Sequence, residues 1–522
     1  VSSVPHPVSS LGRLKQIRVA VSLTILAGIT LLFLDLTNVI PPSVTAAVTA
    51  FQLVPAVVKS LGMFGLWTIG AGTIVLLTLL FGRVYCSSIC PVGTLQDLFI
   101  RLRREVVRRE RYSFRKPMAL LQYGVLAGSA ILFALGSLTV LNLLEPFSNY
   151  GRMVTALGKP AAVGMNNILA ALAGTVGWYG LAVAALHTVG LGAIGSALLF
   201  LGTISFLSYR HGRLFCNSLC PAGAILSLLS RFAMFKLVVD HSTCLECGLC
   251  ERVCKAQCID SDNKRIAFEA CVGCFNCLQA CPTVGLKFSK PWDRSAGETS
   301  VDRGRRRVLA ASVAPFVGMF GAASDSTRVP GVLRESLRPV TPPGAIGERH
   351  FTENCTACHL CVGVCPSHVL APTFLAYGVS GMLQPHMDYA ASYCNYDCTA
   401  CGTVCPSGAI RSLSQEAKRL VQIGQARFLK DECVVVKNKK DCGACSEHCP
   451  TKAVHMVPYE GKLVIPELTN DLCVGCGACE HACPTRPQRA IYVEANAVHL
   501  QAKKPEIRKL EPETLPAGEF PF

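Results

Sequence analysis

Charge is scarce in this chain. Asp, Glu, Lys and Arg make up 16% of its 522 residues, whereas 51% are hydrophobic and the mean hydropathy is +0.39. That composition excludes disorder and an ordinary soluble enzyme, and points to a membrane protein. Negative charge is the scarcer sign, with 34 Asp and Glu against 50 Lys and Arg. Residues 324–522 hold 20 of each, so the basic excess falls entirely in the apolar part. There it reads as cytoplasmic anchoring of helices, not as a nucleic-acid groove. A phosphate-binding loop is missing. Gly190-Leu191-Gly192-Ala193-Ile194-Gly195 spells a dinucleotide fingerprint, but no strand precedes it and no acidic residue follows at the right distance. It reads as close helix packing through small residues, which argues against direct oxidation of a nicotinamide cofactor. Histidine is nearly missing from the apolar segments. His187 alone lies well inside them, which argues against a haem b held by two histidines of this chain.

What is present is length in the apolar runs. Residues 19–40, 63–81, 118–140 and a stretch within 179–207 each approach the roughly 20 residues that cross a bilayer. Arg13, Lys15 and Arg18 precede the first, residues 101–116 carry eight Lys and Arg, and Arg210 and Arg213 follow the fourth. The loops 41–62 and 141–177 are sparsely charged. The positive-inside rule then gives an even number of crossings with both ends in the cytoplasm, and the start reads as an anchor helix, not a cleavable signal. Gly82-Arg83-Val84-Tyr85-Cys86-Ser87-Ser88-Ile89-Cys90-Pro91-Val92-Gly93 is answered by Gly212-Arg213-Leu214-Phe215-Cys216-Asn217-Ser218-Leu219-Cys220-Pro221-Ala222-Gly223. Each copy follows an apolar segment, so the membrane part reads as two hairpins in parallel repeat.

Cysteine is plentiful and ordered. Of 29, 24 fall into six tetrads and four into two C-x-x-x-C-P pairs. A disulfide scaffold would be short and would not repeat C-x-x-C-x-x-C; this pattern is that of an iron–sulfur protein. In such tetrads three thiolates cap one cubane and the fourth reaches the neighbouring cluster. Cys244, Cys247, Cys250 and Cys281 are therefore expected to hold one 4Fe–4S cluster, and Cys271, Cys274, Cys277 and Cys254 a second. Lys255 replaces the usual proline after Cys254, and the leftover Cys258 reads as a buried bystander. Four more clusters follow by the same exchange: Cys355, Cys358, Cys361 with Cys405; Cys394, Cys398, Cys401 with Cys365; Cys433, Cys442, Cys445 with Cys483; Cys473, Cys476, Cys479 with Cys449. Spacing alone leaves nested pairing of outer and inner tetrads open. Leu463-Val464-Ile465 reads as a short strand stopped by Pro466. Cys355-Thr356-Ala357-Cys358-His359 matches a haem-attachment pattern, but a haem there would strand Cys361 and Cys365.

Cys86, Cys90, Cys216 and Cys220 form a membrane quartet. Cysteines at i and i+4 face one way on a helix, so two such pairs bring four sulfurs together. They read as an additional iron–sulfur cluster, as redox-active thiols beside a quinone, or as plain packing by small residues. Asp35 and Glu145 lie near the outer ends of their helices, where they are candidate acceptors of a quinol's protons; interfacial solvated carboxylates are the plainer reading.

The fold expected is a membrane α-helical bundle of four transmembrane helices in two repeated hairpins, five if residues 308–323 cross, joined to α+β ferredoxin-like 4Fe–4S domains. The divisions are 1–238 (membrane domain), 239–290 (two clusters), 291–349 (basic segment and linker), 350–500 (four clusters) and 501–522 (surface arm). The repeated Cys-Pro motif, the four helices and the two-cluster unit of residues 10–290 resemble the NapH type of membrane quinol dehydrogenase subunit, with relatives in the nitrous-oxide reductase accessory family. Residues 303–500 look like the NapG-type ferredoxin partner, and Gly304-Arg305-Arg306-Arg307-Val308-Leu309 resembles a twin-arginine export motif. The resemblance implies quinol oxidation and delivery of electrons to a partner reductase or cytochrome of a respiratory complex. It implies a multi-pass protein of a bacterial inner membrane in contact with lipid, with 239–290 cytoplasmic and 350–500 periplasmic. Two other roles fit the same clusters: an accessory donor that matures or reactivates a metalloenzyme, and electron transfer from ferredoxin to quinone.

Overall fold

The computed structural model describes residues 10–35, 39–62, 65–106, 112–184, 189–283, 285–289 and 338–504. His187 and the stretch 290–337, with its twin-arginine-like run and residues 308–323, lie outside the described residues.

A run with no proline, basic at its start and largely apolar from Val19 on, forms α1 (Ser10–Leu34), which at 1.5 Å per residue is about 37 Å long. Proline then interrupts the chain. Pro42 opens α2 (Pro42–Ala50), which meets α3 (Leu53–Gly62) at a bend of 104°. The segment expected as a loop is thus a folded-back helical pair. α4 (Leu66–Phe81) packs on it so closely that a Cβ at Gly70 would lie 2.0 Å from the Ala50 carbonyl oxygen. α5 (Tyr85–Ser88) and the amphipathic α6 (Pro91–Val106) follow. The second half runs α7 (Ala119–Ala134), α8 (Thr139–Leu144), α9 (Pro146–Met153), a π-helical turn at Val154–Gly158, α10 (Lys159–Thr175), α11 (Leu191–His211), α12 (Leu214–Ser218) and α13 (Pro221–Ser230). The second expected loop, 141–177, is therefore almost wholly helical: α8 and α9 are short, with α9 buried against the bundle, and the 17-residue α10 carries Lys159, Asn166 and Asn167 and buries only Val163.

Among the described residues two helices, α1 and α11, are long and apolar enough to cross a membrane, and the bent α2–α3 pair would be a third if it counts as one span. α4 and α7, expected to cross, have 16 residues each, just under the usual 17–25. The fourth segment, expected within 179–207, begins at Leu191, where Gly190 caps α11, and runs on to His211. Its glycines do not serve close packing: a Cβ at Gly195 would meet nothing within 4 Å.

The rest is built from two-stranded antiparallel ribbons and short helices. β1 (Lys236–Val239) pairs with β4 (Leu286–Ser289), and β2 (Ile259–Asp260) with β3 (Arg265–Ile266), which closes a unit over 236–289. In the C-terminal block β5 (Leu370–Pro372) pairs with β6 (Pro385–Met387), β7 (Val421–Phe428) with β10 (Ile491–Gln501), and β8 (Val454–Pro458) with β9 (Val464–Leu468). Pro466 does not stop β9. It pairs with Met456 in a ribbon of two edges, where a missing N–H need cost no ladder bond.

The two cysteine-rich blocks grip opposite ends of α1. Near its start, Lys15 Nζ donates to Gln279 Oε1 at 2.7 Å. Near its end, the Phe33 ring lies 5.5 Å from Phe147, and a Cβ at Gly151 would strike both Phe33 and the Cys358 carbonyl. Arg152 Nη1 donates to the Ala357 carbonyl at 3.2 Å and Lys59 Nζ to the Cys405 carbonyl at 3.0 Å, fixing the C-terminal block there.

Candidate iron–sulfur sites

In the first block, tight turns before short helices converge cysteines from both tetrads. Cys244, Cys247, Cys250 and Cys281 line one pocket of about 450 Å³. Cys254, Cys271, Cys274 and Cys277 line another of about 450 Å³. Gly248 before helix Leu249–Arg252 and Phe275 before helix Asn276–Ala280 take left-handed backbone, at φ of 66° and 60°, which turns the chain tightly around each pocket. Cys258 is buried in the wall of the second pocket, its Sγ 3.6 Å from that of Cys254 and in hydrogen-bond contact with Cys271. It is therefore against the site, where its lack of a motif gave no sign of it.

The C-terminal block repeats the arrangement. Cys365 joins Cys394, Cys398 and Cys401 around a pocket of about 340 Å³, and Cys483 joins Cys433, Cys442 and Cys445 around one of about 350 Å³. Cys361 lies within electrostatic reach of Cys355, Cys358 and Cys405, and Cys479 of Cys473, Cys476 and Cys449. Among the described residues no three His, Cys, Asp or Glu side chains gather around a single metal-ion position. Four of the six sets line pockets instead. His359 is buried with Nε2 2.8 Å from the Leu383 carbonyl. Burial and then Arg152 push its imidazole down to about 3, so it is neutral near pH 7.

The membrane quartet stands between the blocks. All four cysteines are buried and free of disulfides, and each lies within electrostatic reach of the others. They do not share one continuous helix in either pair. Cys86 is in α5 and Cys216 in α12, whereas Cys90 precedes α6 and Cys220 caps α13, with the proline starting a new helix each time. The pairs converge because the helix breaks. Gly82 and Gly212, at φ of 78° and 61°, turn the chain out of α4 and α11.

The arginines of the repeat cross over. Arg83 Nη2 donates to the Cys216 carbonyl at 2.8 Å, and Arg213 Nη1 donates to the Cys86 carbonyl at 2.9 Å. Arg213 also grips Asp97 Oδ1 at 2.6 Å, and Asp97 Oδ2 receives Arg18 at 3.0 Å and Lys255 at 3.2 Å. Burial works to raise the Asp97 carboxyl, but Arg213, Lys255 and Arg18 together hold it well below the usual carboxylate range. The lysine in the proline's place thus anchors the first ferredoxin block to α6.

The structure does not bring the two candidate proton acceptors to one site. Glu145 is 1% exposed and caps α9, its Oε1 accepting from Phe147 N at 2.9 Å and its Oε2 from Ser148 N. It also lies in electrostatic reach of Tyr85 and Cys358. Asp35 lines a pocket of about 950 Å³ with Thr45, Leu360, Val364, Cys398 and Thr403. Sequence reasoning named Asp35 but not the threonines, which carry no periodic signal.

Comparison with known proteins places residues 63–110 and 193–239 in the family described as a 4Fe-4S binding domain, one match for each Cys-Pro repeat. Residues 440–486 match a 4Fe-4S dicluster domain. The chain is 27% identical over 274 residues to the ferredoxin-type protein NapH of Haemophilus influenzae, covering 51% of this chain and 79% of that one. It is 37% identical over 93 residues to uncharacterized protein MJ0749 of Methanocaldococcus jannaschii, covering 18% and 37%, and 33% identical over 115 residues to the ferredoxin-type protein NapG of Escherichia coli, covering 20% and 46%. No solved structure matches. These likenesses and the cysteine sites make it a membrane iron–sulfur electron-transfer protein carrying 4Fe–4S clusters.

Proposed function

We propose that this NapH/NapG-like ferredoxin-type chain oxidises quinol in the membrane and passes electrons singly to a partner reductase or cytochrome, using six 4Fe–4S clusters. Each cluster, when bound, supplies a one-electron donor and acceptor. The ligand sets are those of adjacent exchange, Cys244/247/250/281 and Cys254/271/274/277 in the first block. In the second they are Cys355/358/361/405, Cys365/394/398/401, Cys433/442/445/483 and Cys449/473/476/479. The observation that carries this reading is the set of four pockets, each lined by three cysteines of one tetrad and one of its neighbour.

The quinol headgroup is assigned to the Asp35 pocket. Leu360 and Val364 give it apolar walls, Thr45 and Thr403 offer hydroxyls that orient a ring oxygen, and Cys398 brings the pocket against a cluster site. Asp35 accepts from Val39 N at 3.2 Å and Ile40 N at 3.0 Å, which holds its carboxylate at the wall, where it takes a proton from the quinol hydroxyl. Glu145, buried as the cap of α9 and not among the residues lining that pocket, keeps a positioning role.

The sidedness belongs to the same proposal. The first ferredoxin block is cytoplasmic and the four-cluster block periplasmic in a multi-pass inner-membrane protein, which their grip on opposite ends of α1 supports. The domain division 1–238, 239–290, 291–349, 350–500 and 501–522 is retained, with β1 counted into the first ferredoxin unit. Iron analysis tests the cofactor count. Fully loaded protein should hold at least about 24 iron atoms per chain, and a value near 16 would overturn the six-cluster reading.

A further inference from the structure

We propose that the loop between β5 and β6, residues 373–384, dips into the lipid interface beside α11, so that the C-terminal block holds the bilayer surface through Phe374, Leu375 and Val379. The proposal needs α11 to cross the membrane, but neither the cluster count nor the side on which the block lies.

The sequence sets this stretch apart. Residues 354–387 contain no Asp, Glu, Lys or Arg, although residues 324–522 hold 20 acidic and 20 basic side chains. Nothing in the loop therefore needs water to solvate a charge, and no lysine or glutamate guards it against burial in lipid.

The structure sorts the apolar side chains of the loop into two sets. Tyr377 and Leu383 are buried within the block. The Tyr377 ring lies 5.7 Å from Phe351, and its hydroxyl donates to the Pro385 carbonyl at 3.3 Å. The Leu383 carbonyl meets His359 Nε2 at 2.8 Å, and Gln384 Nε2 donates to the Thr352 and Cys355 carbonyls at 3.0 and 2.9 Å. Gly381 passes so near that a Cβ there would lie 2.4 Å from Tyr377 Cβ. The loop is thus held from within. Phe374, Leu375 and Val379, at 50%, 49% and 65% exposure, project from a fixed frame. Three large apolar side chains within six residues make a patch of the kind that marks an interaction surface.

What covers the patch follows from where it sits. A Cβ on Gly192 would lie 3.8 Å from Phe374 Cβ, and Gly192 is in the first turn of α11, a helix long and apolar enough to cross. On the other side, Thr139 Oγ1 at the start of α8 donates to the Val379 carbonyl at 2.8 Å. Just past α7, a Cβ on Gly136 would lie 3.2 Å from Glu353 Oε1, so the block meets the end of that helix as well. α11 leaves Leu191, Leu198 and Leu199 exposed, and α7 leaves Leu120 and Ile131 exposed, as helices that face lipid do. The loop therefore continues their apolar surface at their ends, at the level where interfacial segments bury an apolar face about 5–10 Å deep. A protein partner would first have to clear lipid from the start of α11 to reach Phe374. The contact also bears on the Cys355–Cys358 turn, to which His359 and Gln384 tie the loop.

The test uses the full-length protein in nanodiscs of phosphatidylcholine and phosphatidylglycerol. Photoreactive benzoylphenylalanine replaces Phe374, Leu375 or Val379, and replaces Lys462 as the control, because Lys462 lies with Glu460 at the charged tip of the β8–β9 ribbon. Irradiation should yield lipid adducts at 374, 375 and 379 and none at 462, with the iron content of every variant equal to that of the wild type. A second measurement needs only a natural side chain. F374W, read against the three native tryptophans, should add blue-shifted emission that lipid brominated near its headgroup quenches. Absence of lipid adducts at all three positions in protein that keeps its iron would overturn the proposal. Protein adducts in their place, when native membranes are irradiated, would overturn it too and assign the patch to a partner subunit. If the photoreactive variants fail to load iron, F374W emission that brominated lipid leaves unquenched would overturn it.

Discussion

Lys255 Nζ lies 3.2 Å from Asp97 Oδ2, so a residue that follows a cluster cysteine in the first ferredoxin block is paired with a carboxylate on the amphipathic helix of the membrane part. Arg18 and Arg213 share that carboxylate. D97N would leave three mostly buried cations without their counter-ion, a change that costs about 3–5 kcal/mol in comparable buried pairs. The variant should melt earlier and release residues 236–289 to protease. Replacing Lys255 by the usual proline removes one contact and should have a smaller effect. Thermal melts in detergent, paired with limited proteolysis, check the order.

Acid should weaken the C-terminal block before it weakens the Asp97 anchor. Burial lowers His499 to about 4, and burial with Arg152 lowers His359 to about 3, whereas unfolded histidine titrates near 6.5. The unfolded state therefore takes up protons that the folded state refuses, and stability falls as pH drops below about 6.5 until the folded values are reached. Asp97 loses its contribution in the same direction but at lower pH: it is intact above the unfolded carboxylate range, near 3.9, and is lost only below it. Denaturant melts at pH 7.5 and 5.5 should show a loss in the C-terminal block, and H499Q should flatten that slope.

Asp35 is the residue assigned to take the quinol proton. D35N should slow quinol-driven cluster reduction by about 100-fold or more, the lower range for loss of a positioned base. Reduction of the same clusters by dithionite should be unchanged. Equal slowing by both reductants would place the fault in the clusters and remove Asp35 from proton transfer.

The opposed blocks make a topological prediction. Protease added to intact spheroplasts should cut within 350–500 and spare 239–290. Protection of both blocks there, with access to both in inverted vesicles, would put all the clusters in the cytoplasm.

The cysteine tetrads were legible because a cubane favours closely spaced ligands; only Cys433 stands apart from its triple, separated from Cys442 by the helix Val434–Asn438. The Cys-Pro repeat was equally plain, and its doubled glycines and arginines turned out to serve a crossed contact that no single copy reveals. Hydropathy failed where helices are short or bent. Residues 42–62 read as a loop because proline and the Phe51–Gln52 break divide the run, yet tertiary packing against α4 keeps both pieces helical. Glu145 looked available for protons because sequence shows a carboxylate near a helix end but not its burial as the cap of α9. Lys255 looked like a departure from pattern until its distant partner, Asp97, came into view; contacts between residues 158 positions apart leave no local mark.

The central claim, that quinol feeds these clusters, is tested by adding a quinol to the oxidised, fully loaded protein in lipid nanodiscs under anaerobic conditions and recording electron paramagnetic resonance beside quinone formation. The account predicts that reduced 4Fe–4S signals grow as quinone appears, with each two-electron quinol reducing about two one-electron clusters. Clusters that dithionite reduces fully but that stay oxidised with excess quinol, at every pH between 6 and 8, would contradict it.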